Sequence, residues 1–145
     1  MHTRAYVNRT EMLYHYRQEL FVNVISLGAI GFVEAVKGKS ELELTVVGRR
    51  TKKAHSITVW FFEDGNKIYL LPVNGTGADW YKNALKNPSI TLTVGSAFIR
   101  AEAEPITEFG RVQKVVELFA KKYGGMSEIN KYYKKLDAAI EVALT

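Results

Sequence analysis

Four cationic side chains, Arg49, Arg50, Lys52 and Lys53, fall within five positions, with Gly48 before them and Thr51 among them. On a strand-to-strand connection, such a run can aim several side chains and backbone N–H groups at one anion. Arginine offers phosphate a bidentate fork, and lysine a mobile point charge. The same composition suits a solvated turn, so the run by itself leaves both readings open. Further on, Asn74-Gly75-Thr76-Gly77 leads into Trp80-Tyr81-Lys82-Asn83-Ala84-Leu85-Lys86-Asn87-Pro88. A glycine-containing loop ahead of a tryptophan offers a flat ring somewhere to lie.

Other chemistries find less support. The absence of cysteine removes a thiol nucleophile, a disulfide framework and any cysteine-based zinc site. The histidines are His2, His15 and His55, and no G-x-S-x-G elbow accompanies them, so a serine hydrolase is not expected. Neither paired histidines nor clustered carboxylates have ligand spacing, and no metal is expected. A net charge of +5 and a pI near 9.4 favour anionic partners such as a phosphorylated cofactor, nucleic acid or an acidic membrane surface. Binding of nucleic acid asks for basic and aromatic residues interleaved along one exposed face. Here Trp60, Phe61 and Phe62 run consecutively through a core strand, so nucleic acid is not an expected partner.

These residues need elements to hold them. The 145-residue chain reads as one domain, 1–145. Leu13, Tyr16, Leu20, Val24 and Leu27 follow helical spacing, which predicts a helical segment over about 8–36. Phe32 to Val36 forms its last turn or a packing arm. The apolar run Phe21 to Val36 is broken by Asn23, Ser26 and Glu34 and is too short to span a bilayer. The polar beginning at His2-Thr3-Arg4 lacks a secretory pattern, so a cytoplasmic protein is expected.

Glu41 to Val47 alternates as a half-buried strand, and His55 to Glu63 is rich in β-branched and aromatic residues. Asp64-Gly65 predicts a hairpin, with Lys67 to Val73 returning from it. Ala78 to Asn87 reads as a short helix ended with the help of Pro88. Ser89 to Val94 and Ala97 to Pro105 form a second hairpin about Gly95-Ser96. Thr107 is the expected cap of a helix striped by Phe109, Val112, Val116, Phe119 and Tyr123. Ser127 is the expected cap of another, running through Tyr133. From Leu136 to Leu144 the composition is helical, while Ile140, Val142 and Leu144 alternate as in a strand. Five or six strands joined mostly by hairpins argue for an α+β barrel or sandwich.

Two stretches carry a resemblance. Leu44-Thr45-Val46-Val47-Gly48-Arg49-Arg50-Thr51 resembles the first barrel strand and phosphate turn of the deazaflavin-dependent nitroreductase family. Trp80 to Pro88 is similar to that family's W-Y-x-N-L-x-x-N-P signature. The similarity runs over about Leu42 to Glu104. It implies the split β-barrel shared with flavin reductases and pyridoxamine-phosphate oxidases, with about six mostly antiparallel strands and flanking helices. It also implies that Leu136 to Leu144 is a strand. The implied activity is that of an oxidoreductase binding coenzyme F420 and reducing a quinone or nitroaromatic acceptor. A homodimer with cofactor at the interface is implied as well.

Carried over by motif, Arg49, Arg50 and Thr51 hold the cofactor's phosphate-bearing tail, with Lys53 adding charge. His55 stands where the family has an arginine. Trp60 is where an aromatic approaches the ring, Val73 and Asn74 match the strand end whose backbone groups meet the pyrimidine edge of the deazaflavin, and Trp80 belongs to the closing helix. In that mechanism the acceptor's proton comes from Tyr132, Tyr133 or solvent. Several positions depart from the pattern. Lys52 replaces a glycine, Ala54 follows where a proline is usual, and Asn74-Gly75-Thr76-Gly77 lacks the lysine of the family's loop. The F420 tail carries a phosphate and several glutamates and FMN a single phosphate, so these departures leave both cofactors open. A flavin or deazaflavin carrier without turnover is the remaining alternative.

Overall fold

A computed structural model describes residues 31–144. A helix over 31–36 (α1) places Phe32 and Val36 in the core. The predicted helix over Asn8 to Leu27 lies outside the described residues. The strands are β1 (Leu42–Val47), β2 (Ala54–Val59), β3 (Phe61–Asp64), β4 (Lys67–Leu70), β5 (Ser89–Val94), β6 (Ala97–Ile106) and β7 (Ala139–Ala143). Three further helices are α2 (Asp79–Lys86), α3 (Phe109–Tyr123) and α4 (Met126–Tyr132), and a single 3-10 turn covers Gly75–Gly77.

Alternation sets the first strand as expected: Leu42, Leu44 and Val46 are buried while Glu43 faces out. All strand pairs are antiparallel, in the order β2-β1-β5-β6-β7-β4-β3. The ten-residue β6 serves both halves of the sheet, pairing with β5 through Ala97 to Glu102 and with β7 through Ala103 to Ile106. The two ends of the order, β2 and β3, are separated in sequence by Trp60 alone. The chain therefore ties one edge of the sheet to the other, and the sheet curls into a half-barrel. This is the α+β split β-barrel, with seven strands because the expected strand His55 to Glu63 breaks at Trp60.

Other differences have local causes. β4 stops at Leu70 short of the expected Val73, since Pro72 has no N–H to give a ladder. The cap of α3 is Glu108, not Thr107: its carboxylate accepts from the backbone N–H of Gly110 at 3.0 Å and of Arg111 at 2.9 Å. Ser127 lies inside α4, whose cap position is Gly125 without a side-chain bond. The last segment is a strand. β7 lies between β4 and β6 with Ile140 and Val142 buried, so pairing on both sides overrides the weak helical preference of its alanines.

The core has two parts. One fills the curled sheet with Leu44, Phe61, Ile68, Leu92 and Ile140, and Trp80 packs against it. The other lies under α3 and α4 with Val112, Val116, Phe119, Ile129 and Tyr133, and Trp60 packs against that one.

Candidate functional site

The basic turn between β1 and β2 is closed by its own main chain. Gly48 N–H donates to the Lys53 carbonyl at 2.8 Å, and Lys52 N–H donates to the Gly48 carbonyl at 2.9 Å. The Thr51 hydroxyl and His55 Nε2 are 2.9 Å apart and crowd Gly48, where any Cβ would collide with both. Closing the turn puts Lys52 at φ +62°, the one positive φ outside glycine among the described residues. That left-handed conformation is costly for a side chain with a Cβ, and is where the family pattern has glycine.

Arg50, Thr51, Lys52, Lys53 and His55 are exposed, whereas Arg49 turns inward to α2. Its backbone N–H donates to Asn83 Oδ1 at 3.0 Å, and its guanidinium donates to the same oxygen at 2.7 Å. The guanidinium also reaches the Asp79 carbonyl at 3.3 Å and the Asp79 carboxylate at 3.4 Å. The two stretches singled out in sequence are thus bonded to each other.

A cleft of about 420 Å³ opens over the turn, walled by Arg49, Arg50, Thr51, His55 and Trp80. A second, of about 650 Å³, is walled by Trp60, Val73, Asn74, Trp80, Tyr132 and Tyr133. Ile57 and Trp80 line both. Of the residues expected at a site, only Lys53 lines neither; it remains in the turn, its N–H donating to the Thr51 hydroxyl at 3.2 Å.

The second cleft is built by packing. Trp60 stacks on Tyr123 with ring centroids 4.1 Å apart and planes 4° from parallel. It meets Tyr132 edge-on at 5.4 Å and Tyr133 at 6.0 Å. The Tyr123 hydroxyl accepts from Phe61 N–H at 3.0 Å and lies 2.8 Å from the carbonyls of Ser40 and Phe61, which can take its proton. Burial pushes its pKa up to about 12, against a smaller lowering by its bond to Phe61. Beside it, Lys122 Nζ donates to the Phe61 carbonyl at 2.8 Å and stands 3.5 Å from the centre of the Phe61 ring. Burial lowers its pKa to about 8. Tyr133 is buried too, and desolvation, with the neighbouring Tyr123, holds its hydroxyl protonated well beyond the usual tyrosine range.

The loop after β4 is fixed from the far side. The Val73 carbonyl accepts from Lys134 N–H at 2.8 Å and Lys135 N–H at 3.3 Å, and the Asn74 carbonyl accepts from Gly77 N–H at 2.9 Å. Both carbonyls are thus engaged within the protein. The Asp137 carboxylate accepts from Thr76 N–H at 2.9 Å and Thr76 Oγ1 at 2.8 Å. Burial opposes its charge, but the bonds from Thr76 and the nearby Lys135 outweigh this and hold its pKa below the ordinary carboxylate value. Gly75 sits against Asp137 at φ +52° with no room for a Cβ.

Asn83, Asp79 and Asp137 are the contributors that sequence reasoning missed, whereas Tyr123, expected on the apolar stripe of α3, packs behind Trp60. Asp79 and Asn83, four apart, share a helix face, a spacing visible in sequence. Nothing local marks Asp137, whose partner is 61 residues away. Among the described residues, no cluster of three His, Asp or Glu could hold a metal, and no helix is long and apolar enough to cross a membrane.

A sequence profile of the family described as F420H(2)-dependent quinone reductase matches residues 19–144. No curated protein sequence matches the chain. Among solved structures, an F420-H2 dependent reductase (FDR-A) is 17% identical with a TM-score of 0.57, covering 72% of this chain and 94% of that one. A structure described as a domain-swapped dimer is 16% identical with a TM-score of 0.58, covering 89% and 98%. A Listeria innocua protein provisionally described as a pyridoxamine 5'-phosphate oxidase is 14% identical with a TM-score of 0.59, covering 79% and 91%. At these identities the likeness shows the fold.

Proposed function

The chain belongs to the F420H(2)-dependent quinone reductase family and is therefore an oxidoreductase; from that premise we propose that it binds reduced coenzyme F420 along the two adjoining clefts and reduces a quinone or nitroaromatic acceptor. The observation carrying the reading is that the clefts share Ile57 and Trp80, one exposing cations and the other walled by aromatics. A ligand with an anionic tail and a flat ring matches that arrangement. When bound, the reduced deazaflavin supplies the hydride, and the protein supplies orientation and electrostatics.

The chain's own residues then divide the work. Arg50, Lys52 and Lys53 put exposed positive charge at the tail end, and Thr51 with His55 adds hydrogen-bonding capacity. Arg49 belongs to the same turn, with its guanidinium engaged by α2. Trp80 and Ile57 wall the passage between the clefts, while Trp60, held by Tyr123, gives the ring end a fixed aromatic side. Val73 and Asn74 border the ring end.

Reduction of a quinone takes a proton as well as a hydride. A tyrosine giving that proton must recover one from water. Tyr132 is 52% exposed and has this access; Tyr133, 7% exposed, does not. Tyr132 is accordingly the proton donor, and Tyr133, kept neutral by burial, a hydrogen-bond donor to the acceptor. The homodimer belongs to this reading, supported by the dimeric neighbour.

Stopped-flow mixing of protein-bound F420H2 with menadione tests it. Oxidation faster than that of free cofactor is the expected result. Binding without acceleration makes the protein a carrier, and saturable binding of FMN in place of F420 makes it an FMN-type reductase.

A further inference from the structure

We propose that Asn83 and Arg49 form a positioning pair that sets the basic turn against the aromatic wall, leaving the anionic tail to Arg50, with Lys53 adding charge nearby. The ligand in this proposal rests on the F420 reading above.

Asn83 is the one polar, non-aromatic side chain buried among the described residues, at 8% exposure. A buried amide needs its partners, and its oxygen finds both in a single residue. That oxygen takes the backbone N–H and the guanidinium of Arg49, at 3.0 and 2.7 Å. One atom therefore fixes the main chain of the turn and the side chain leaving it. Asp79 takes the remaining direction of the fork through its carbonyl and carboxylate. Trp80, which with Ile57 lines both clefts, lies between these two residues in α2. Arg49 thus links the tail end to the passage toward the ring end. Its side chain is only 24% exposed and its charge faces Asp79. Arg50 and Lys53, exposed in the same turn, have no salt-bridge partner among the described residues. Lysine at position 49 would keep the charge but lose the planar fork that reaches Asn83 and Asp79 together.

The test is a double-mutant cycle on F420 binding, read by tryptophan fluorescence across a salt series, with Arg49→Ala, Asn83→Ala and the double variant. Each single change is expected to weaken binding about tenfold, and the double variant no more than the weaker single, because the two act as one unit. Asn83→Asp keeps the acceptor and restores binding, while Arg49→Lys is as weak as Arg49→Ala. The salt dependence of both alanine variants stays that of wild type, whereas Arg50→Ala flattens it. Losses that add, near-normal binding by Arg49→Lys, or wild-type binding by Asn83→Ala overturns the proposal.

A second arm needs no cofactor. In Asn83→Ala, amide exchange is expected to quicken over residues 48–53 and stay unchanged in the β5–β6 hairpin; unchanged exchange in the turn overturns the pair. If wild type binds neither F420 nor FMN, the functional reading falls with the ligand half of the proposal, and the exchange arm decides the pair alone. If Asn83→Ala does not fold, Asn83→Ser with Arg49→Lys carries the same comparison.

Discussion

At the basic end of the cleft, the side chains facing solvent leave a turn closed by two main-chain bonds and anchored inward by Asn83. At the aromatic end, Trp60, Tyr123 and Tyr133 pack on one another and on the core under α3 and α4. In the reading proposed above, the first end puts its ligand-facing chemistry on exposed residues, and the second makes its ligand wall out of residues packed on the core. On that reading, anion preference is free to change by exchange of exposed residues, whereas the ring pocket is fixed along with the barrel. The departures of Lys52 and His55 from the family pattern fall at the permissive end.

The largest effect should come from Trp60→Ala. It removes the stack on Tyr123 and the edges offered to Tyr132 and Tyr133, at a cost of about 3 kcal/mol or more. Urea unfolding measures it. A loss like that of an ordinary surface change would erase the distinction between the two ends.

Asp137→Ala comes next. It takes both acceptors from Thr76 and should cost about 2 kcal/mol, with faster amide exchange in residues 74–77 than in the basic turn. Exchange rising equally in both places would show the ends to be coupled.

Lys52→Gly is smaller and opposite in sign. Relief of the φ +62° conformation should raise stability by up to about 1 kcal/mol, less whatever the unfolded chain gains in freedom. Affinity for the anionic tail should fall a few-fold. Thermal melts and cofactor titration together check that stability and binding move in opposite directions.

The smallest effect is in pH dependence. An unfolded lysine keeps its proton to about 10.5, while Lys122 gives it up near 8, so between these values the unfolded chain binds more protons and stability rises with pH. Tyr123 acts in reverse. An unfolded tyrosine ionises near 10 and this one near 12, so above 10 stability falls. Lys122→Met should flatten the rise in urea midpoint between pH 8 and 10 and leave the fall above it. Partial solvent access to Lys122 keeps the effect modest.

What was legible in sequence was what side-chain periodicity and turn chemistry carry. Leu42, Leu44 and Val46 gave β1, and Asp64-Gly65 the hairpin after β3. The break at Trp60 was hidden because β-branched and aromatic residues run through it without a glycine or proline. It appears only when β2 joins β1 and β3 joins β4 on opposite edges. β7 conflicted locally and was settled by its two neighbours. At the site, the cations and Trp80 were visible as residue types, but the bond from Arg49 to Asn83 spans 34 positions and that from Asp137 to Thr76 spans 61. No local pattern carries such pairings, so the hold of α2 on Arg49, one of the cations lining the cleft, was not visible in sequence.

The chain has two tryptophans, Trp60 and Trp80, and both wall the cleft. Titration of the protein with F420 while following their fluorescence tests the central claim directly. The account predicts saturable quenching that weakens with salt and with Arg50→Ala, whose stability stays within about 0.5 kcal/mol of wild type. Fluorescence that never saturates at low salt, or that responds to FMN and not to F420, would contradict it.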